Sequence, residues 1–340
     1  IINPQAERGK DWGEQAPDLV AAIVDEDAAG ITIRGAKMLG TSSIMANEVF
    51  VASIQPLSPG DEDFALSFAL PLGTPGIKIL SRKSYEAAAQ SEFDAPLATH
   101  FDENDALILF EQVKVPWERV FVCRDTAMAF AQFRDTWAAP MQNHHSQIRL
   151  SVKLRFLLGL ARRIAEVNGA AEFPQVRDQL GRMAAEVAMV DAFVLGMEAD
   201  CERVGEYAMP SRSIMHAATC VTQTLYPKFV SDLRELAGGG LIMLPSSARD
   251  FENPELRAHI RRTQRSPVTD AYGRVKLMKL AWDAIGSEFA SRHVQYEMFY
   301  AGAQVFQRAA MLRSFDWPSA TGLVDEMLAR YDLPEAVRPN

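Results

Sequence analysis

Between Leu19 and Val122 the apolar positions fall in short β-branched and aromatic runs: LVAAIV, GITIRG, AKMLG, EVFVASI, FALSFAL, GIKIL and ALILFEQVKV. Gly, Pro, Asp or Asn separate them, a rhythm that predicts an antiparallel barrel or sandwich. Asp25 to Gly30 is the clearest hairpin turn. Val115-Pro116-Trp117 is expected to end the β region, because Pro cannot donate within a central strand. After Arg124 the period becomes helical. Ile148, Val152, Phe156, Gly159, Leu160 and Val167 recur near helical spacing, which predicts a core helix from Ser146 to Asn168 with Gly169 as its stop. Phe173 to Gly205, Ser211 to Leu236 and Ala271 to Arg313 read as further helices, and Pro227 is expected to kink the second of these. Long helices in this number predict a bundle. The expected fold class is therefore α+β, with a β-barrel domain over residues 1–125 and a helical bundle over 126–340.

Composition narrows the function. The chain has 340 residues, 48% of them hydrophobic, enough to bury the core of one or two domains. No uncharged apolar window is long enough for a membrane span and no signal-peptide pattern opens the chain, so the expected compartment is the cytoplasm. Ile1-Ile2-Asn3-Pro4-Gln5 reads as the middle of a strand and turn, and a further N-terminal segment is expected before it. Cys123, Cys201 and Cys220 are odd in number and widely spaced, which argues for reduced structural thiols. A net charge of -9 disfavours nucleic acid or anionic membrane as a partner and leaves a small molecule.

Several clusters could carry chemistry. His144 and His145 stand just before the predicted helix start, where free backbone N–H groups and the positive dipole end favour a neutral imidazole able to take a proton. The competing assignment has one His capping the helix and the other facing solvent. Neither His has a Cys or His at i+3 or i+4, so no metal site is expected. Arg149 and Lys153 share a helix face and, with Arg8, could grip a diphosphate, although such a pair is also an ordinary solvated face. Thr41, Ser42 and Ser43 offer hydroxyls at a strand end, or form a simple turn. Gly238-Gly239-Gly240 lacks the Lys-Ser/Thr of a phosphate-binding loop, and no dinucleotide fingerprint occurs anywhere. Arg292-His293 and Tyr296-Glu297 read first as a polar network at a bundle or subunit interface.

The remaining motifs carry a family resemblance. They are Asn3-Pro4-Gln5 with Arg8, Arg34-Gly35-Ala36-Lys37 with Thr41, Ser81-Arg82 with Ser84-Tyr85, and Phe101-Asp102-Glu103-Asn104-Asp105-Ala106. With them go Val115-Pro116-Trp117-Glu118 followed by Arg124-Asp125, the stretch from Leu244 to Asp250, and Trp282 to Phe289 with Ser291-Arg292-His293. Together they resemble, nearly end to end, the oxygenase component of 4-hydroxyphenylacetate 3-monooxygenase and its chlorophenol and nitrophenol monooxygenase relatives. The resemblance implies an acyl-CoA dehydrogenase-like fold, of which this chain would supply the middle β-barrel and the C-terminal four-helix bundle, assembled as a homodimer or homotetramer. It also implies a two-component reaction. A separate flavin reductase would supply reduced FAD, oxygen would add at flavin C(4a), and the hydroperoxide would hydroxylate a phenolic substrate of the 4-hydroxyphenylacetate or halo- or nitrophenol type.

By position the resemblance implies that Gln5 and Arg8 contact the flavin, that Thr41, with Ser42 beside it, lies near N(5), and that Arg149 is the basic residue at the helix start. Gly238, Gly239, Gly240 and Leu241 match a loop that approaches the flavin, often from the neighbouring subunit. His144 matches the base that deprotonates the phenol, and His145 and Ser53 are further candidates for substrate contact. Other readings carry distinct signatures. A 4-hydroxybutyryl-CoA dehydratase would place a Cys cluster ligand seven residues after the His, where this chain has Ser151. An acyl-CoA dehydrogenase would need a carboxylate facing the flavin, and a non-enzymatic flavin-binding scaffold would take up no oxygen with reduced FAD and a phenol.

Overall fold

The computed structural model describes residues 2–4, 7 and 9–332. Its first half holds β1 (Ala22–Asp27), β2 (Gly30–Lys37), β3 (Glu48–Ala52), β4 (Leu66–Pro71), β5 (Ile77–Ser81), β6 (Ala106–Pro116) and β7 (Val120–Cys123). Two single-turn helices, α1 (Tyr85–Ala88) and α2 (Ala98–Phe101), lie between β5 and β6. The strands form two open antiparallel sheets, β1-β2-β6-β5 and β3-β4-β7. No closed barrel forms among the described residues, which corrects the expected β-barrel. Alternate residues of both sheets turn inward to one core, where Ile23, Ile31, Ile33 and Val113 meet Val51 and Leu66. Phe68 and Phe110 close it edge to face, with ring centroids 5.7 Å apart.

Two glycines explain the strand boundaries. The β1–β2 turn is closed by the Ala29 amide donating to Asp27 Oδ1 at 2.8 Å, and Gly30 follows with φ +147°, where a Cβ would collide with the Val115 carbonyl. The runs GITIRG and AKMLG, expected as separate strands, are one strand. Gly35 sits at φ +115° beside a register shift against β6, and this bulge lets β2 continue to Lys37. Pro116 ends β6 as expected, yet β7 follows it, so the β region runs on to Cys123.

The second half holds α3 (Thr126–Arg134), α4 (Ala138–Val167), α5 (Pro174–Ala199), the hairpin β8 (Glu202–Val204) and β9 (Tyr207–Met209), and α6 (Arg212–Ala237). Then come α7 (Pro254–Thr263), α8 (Ala271–Ile285), α9 (Glu288–Phe299), α10 (Gln304–Ser314) and α11 (Trp317–Leu328). Leu154, Leu157 and Ile164 of α4 pack with Met183 and Val190 of α5, Phe229 and Leu233 of α6, and Met278 and Ile285 of α8. The helix pattern departs from expectation in two places. Helix α4 starts at Ala138 rather than Ser146, which puts His144 and His145 inside it, past its positive end. The stretch 271–313 is three helices, because Gly286 lies against the Trp282 ring where no side chain fits, Ser287 caps a new helix by accepting from the Ala290 amide, and Gly302 takes φ +94°. Helix α6 passes through Pro227 without interruption. Cys201, expected to be a structural thiol, is exposed, and all three cysteines are free. No described helix is long and apolar enough to cross a membrane.

The two halves are joined by buried charge. Asp283 of α8 accepts from the amides of Leu97 and Ala98 at 2.7 and 2.9 Å, satisfying the N-terminal end of α2. Lys279 reaches Asp94 at 3.0 Å. The third joint, made by Arg292, belongs to the candidate site.

Candidate active site

Helix α9, with its C-cap Tyr300, sets residues 292, 293, 296 and 297 against α4 on one side and against the start of β6 on the other. The buried Glu297 carboxylate accepts from Arg149 Nη1 at 2.6 Å, from Arg149 Nη2 at 3.2 Å and from Lys153 Nζ at 2.7 Å. The i, i+4 spacing of Arg149 and Lys153 makes this convergence possible. Arg149 also lies over the Tyr296 ring, 4.5 Å from its centroid, with Tyr300 at 5.7 Å. Lys153 Nζ is 3.2 Å from His293 Nδ1, so His293 accepts there and carries its proton on Nε2. Burial, together with the charges of Lys153, Arg292 and Arg149, pushes His293 down to about 3. Burial and the neighbouring Arg149 also lower Lys153, against the pull of Glu297.

Toward the β layer, Arg292 donates to both oxygens of Asp105, at 2.8 and 3.0 Å, and to Glu103 at 2.6 Å. Arg82 approaches the same Asp105 at 3.3 Å and pairs with Asp102 at 2.6 Å, its guanidinium 4.0 Å over the Tyr85 ring. Burial works to raise Asp105, but hydrogen bonds from Arg292 and Thr41 and the Arg292 charge hold its carboxyl below the usual range. Thr41 Oγ1 donates to Asp105 Oδ1 at 2.8 Å. The junction of α9, α4 and the start of β6 thus carries cations that are nearly all matched by carboxylates, with tyrosine rings and the exposed Thr41 beside them.

The sequence candidates separate accordingly. Thr41 and Arg149 fall on this one network. Ser42 adjoins Thr41 at φ +59°, its amide donating to the Asn104 carbonyl at 2.6 Å. Gln5 and Arg8 lie outside the described residues. Arg149 and Lys153 do not stand free to grip a diphosphate, because Glu297 lies between them. His144 turns to α5, its Nε2 3.2 Å from Glu198 Oε1, on the side where Ser151 donates to Asp191 at 2.5 Å. His145 is exposed and stands four residues before Arg149, on the face that carries it. Ser53 is buried in the β layer and donates to the Phe64 carbonyl at 2.5 Å. Gly238 to Leu241 form the turn that closes α6, beside Asn168, whose amide reaches the Leu236 carbonyl. Arg149 to Asn168 is nineteen helical steps, about 28 Å, so within one chain this turn and the Arg149 network lie far apart. Next to it, Gln264 donates to the Met243 carbonyl, and a cavity of about 640 Å³ is lined by Arg257, Arg261 and Arg265.

Sequence reasoning passed over Asp105, Glu103 and Glu297 as site residues. The available signals were the motif Phe101 to Ala106, which holds Glu103 and Asp105, and the polar cluster Arg292-His293 and Tyr296-Glu297 on a single helix, which read first as an assembly face.

This mixed α+β architecture is an acyl-CoA dehydrogenase-like fold. An acyl-CoA dehydrogenase from Geobacillus kaustophilus shares the fold at TM-score 0.54 with 15% identity, over 86% of this chain and 63% of that one. The 4-hydroxybutyryl-CoA dehydratase of N. maritimus shares it at 0.86 with 21% identity, over all of this chain and 68% of that one. The chain belongs to the 4-hydroxyphenylacetate 3-hydroxylase family: the family's N-terminal model matches residues 1–122 and its C-terminal model residues 129–329.

Among relatives, the 4-hydroxyphenylacetate 3-monooxygenase oxygenase component of Pseudomonas aeruginosa is 34% identical over 98% of this chain and 66% of its own length. The pyoverdin chromophore biosynthetic protein PvcC of the same organism is 34% identical, over 98% and 68%. The 4-nitrophenol 2-monooxygenase oxygenase component of a Rhodococcus species is 33% identical, over 100% and 66%. The solved oxygenase component HpaB, complexed with FAD and 4-hydroxyphenylacetate, superposes at TM-score 0.90 with 29% identity, over 97% of this chain and 69% of that one. The chain thus spans about two thirds of the length of these relatives.

Proposed function

We propose that this chain acts as a flavin-dependent aromatic monooxygenase, the oxygenase half of a two-component system. In this reading it hydroxylates a phenolic substrate with O2 and with reduced FAD supplied by a separate reductase. The observation that carries the reading is the superposition of nearly the whole chain on an oxygenase complexed with FAD and 4-hydroxyphenylacetate. The lack of a dinucleotide fingerprint agrees with a protein that leaves flavin reduction to a partner. We further propose a division at residue 125, with the β-rich part forming the flavin-side wall and the helical part contributing to flavin binding and assembly.

The residues present fit a flavin. Thr41 is exposed with its hydroxyl proton already used, so it offers lone pairs to a ring N–H. The Tyr296 ring is already packed, with Arg149 and Arg292 over it at 4.5 and 4.9 Å and Tyr300 against it at 4.8 Å, so this group offers a flavin a rigid aromatic and cationic edge to lie against. Bound there, reduced FAD would supply the activation of O2 for transfer to the phenol ring. The chain's own part is to hold the ring, exclude water and take the phenolic proton. Thr41, Ser42 and Arg149 are assigned to the cofactor, together with Gln5 and Arg8. Gly238, Gly239, Gly240 and Leu241 are assigned to a flavin held by a neighbouring copy, since about 28 Å parts them from Arg149 in their own chain.

His144 is proposed as the base that takes the phenolic proton. Glu198 orients its imidazole, as a base and its carboxylate partner are commonly arranged. A specific observation favours a second reading, in which His145 is the base: it shares the Arg149 face, whereas His144 points away toward α5. Proton removal by a positioned base is worth on the order of 10²–10⁴-fold in rate. The test is oxygen uptake and product formation with reduced FAD and a panel of phenols, including halo- and nitrophenols. Absence of hydroxylated product with every phenol, in protein that binds FAD, would overturn the reading.

A further inference from the structure

We propose that Asp105 is a positioning residue that locks the Thr41 hydroxyl as a hydrogen-bond acceptor, so that the site selects a ring nitrogen bearing a proton over a bare one. The inference rests on the FAD reading above and on the assignment of Thr41 to flavin N5 that the family resemblance implies.

The Asp105 carboxylate is surrounded by donors. Oδ1 receives Thr41 Oγ1 at 2.8 Å and Arg292 Nη2 at 2.8 Å, and Oδ2 receives Arg292 Nε at 3.0 Å and Arg82 Nε at 3.3 Å. A carboxylate between two guanidinium groups is ionised and has no proton to give, so in the Thr41 contact the threonine must be the donor. The hydroxyl rotor is thereby fixed, and only lone pairs remain on the exposed side of Oγ1.

The backbone beneath is fixed as well. The Gly40 amide donates to the Ala106 carbonyl at 2.9 Å and the Ser42 amide to the Asn104 carbonyl at 2.6 Å, so residues 40, 41 and 42 are stapled to 106, 105 and 104 in turn. Leu39, just before this staple, and Ser42, within it, both take φ +59°, a left-handed conformation that side chains other than Gly adopt only when their surroundings demand it. The outcome of all these contacts is one threonine oxygen aimed with a single polarity.

Reduced flavin carries a hydrogen on N5, and oxidised flavin presents a lone pair there. A locked acceptor attracts the first and repels the second. For a protein that takes its flavin already reduced, this supplies discrimination between the delivered and the spent cofactor.

The experiment is equilibrium titration with FAD, anaerobic and reduced in one arm and oxidised in the other, read by absorbance and fluorescence. The proteins are wild type, Thr41→Val, Thr41→Ser, Asp105→Asn and the Thr41→Val/Asp105→Asn double variant. Wild type should bind the reduced form more tightly. Thr41→Val and Asp105→Asn should each lower the ratio of oxidised to reduced dissociation constants by about five- to tenfold, the worth of one hydrogen bond. Thr41→Ser should keep the ratio, and the double variant should match Thr41→Val, because Asp105 acts through Thr41. An unchanged ratio in Thr41→Val, or a double variant worse than Thr41→Val, would overturn the inference. If Asp105→Asn does not fold, Asp105→Glu keeps the charge for Arg292 and Arg82 while moving its oxygen off Thr41, and carries the same expectation. Wild type that binds both forms equally would sink this inference alone, and wild type that binds neither would sink the FAD reading with it.

Discussion

Glu297 of α9 holds Arg149 of α4 through both carboxylate oxygens, at 2.6 and 3.2 Å, with only 5% of the Glu297 side chain exposed. Lys153 shares one of those oxygens, so a single buried carboxylate answers two cations. Removing its charge would leave both uncompensated. Glu297→Gln is expected to lower stability by about 3 kcal/mol, the usual penalty for breaking a buried pair from one side. Urea denaturation of the variant checks this, and a loss below about 0.5 kcal/mol would mean that the cluster behaves like an exposed surface pair.

The neighbouring imidazoles His144 and His145 point to different sides of α4, one toward Glu198 and one along the Arg149 face. Replacing each by Ala should therefore separate their roles. The variant that removes the base should lose about 10²-fold or more in product formation while retaining FAD affinity, and the other should stay within about threefold of wild type. Product yield per O2 consumed, with a phenol of ordinary acidity, is the measurement. Equal, small effects in both would exclude either imidazole as the proton acceptor.

Burial, with Lys153 and Arg292 nearby, holds His293 neutral in the fold down to about pH 3, against 6.5 for the free imidazole. Between those values the unfolded chain binds more protons than the folded one, so stability falls as pH drops from 6.5 toward 3. His293→Phe should flatten this limb, with a gain on the order of 2 kcal/mol near pH 4. Lys37 acts in the same sense at alkaline pH. Burial lowers it from 10.5 to about 8, and Asn3 Oδ1 accepts from it at 2.6 Å. Stability should therefore rise between pH 8 and 10.5 in wild type and not in Lys37→Met. Melting temperature followed across pH tests both.

Gly35 and Gly205 both take positive φ, but only Gly35 lies against other backbone, where a Cβ would meet the Val20 carbonyl. Gly35→Ala should cost about 3 kcal/mol or more through strain and loss of the β2 bulge. Gly205→Ala, in the open β8–β9 turn, should cost about 1 kcal/mol. Parallel denaturant melts of the two variants decide it, and equal losses would contradict the collision.

The strand runs and helical periods along the chain determined where elements form, because side-chain alternation and turn residues act within a few residues. They also determined the family, since its motifs are contiguous. Contacts between distant residues lay beyond that reach. Asp105 and Arg292 are 187 positions apart, and only the packing of α9 against the start of β6 brings them together. The His pair illustrates the same limit. The free helix end expected beside it depended on a helix start at Ser146, and tertiary packing begins α4 at Ala138 instead, so the neighbouring imidazoles diverge by about 100° around the helix. Arg149 and Lys153 read as a free basic pair, but the structure matched them with Glu297, a partner on another helix that no local spacing could name. Local pattern specifies faces and caps. Which charges neutralise one another, and which hydroxyl is left with one polarity, is decided by desolvation and geometry when those faces meet.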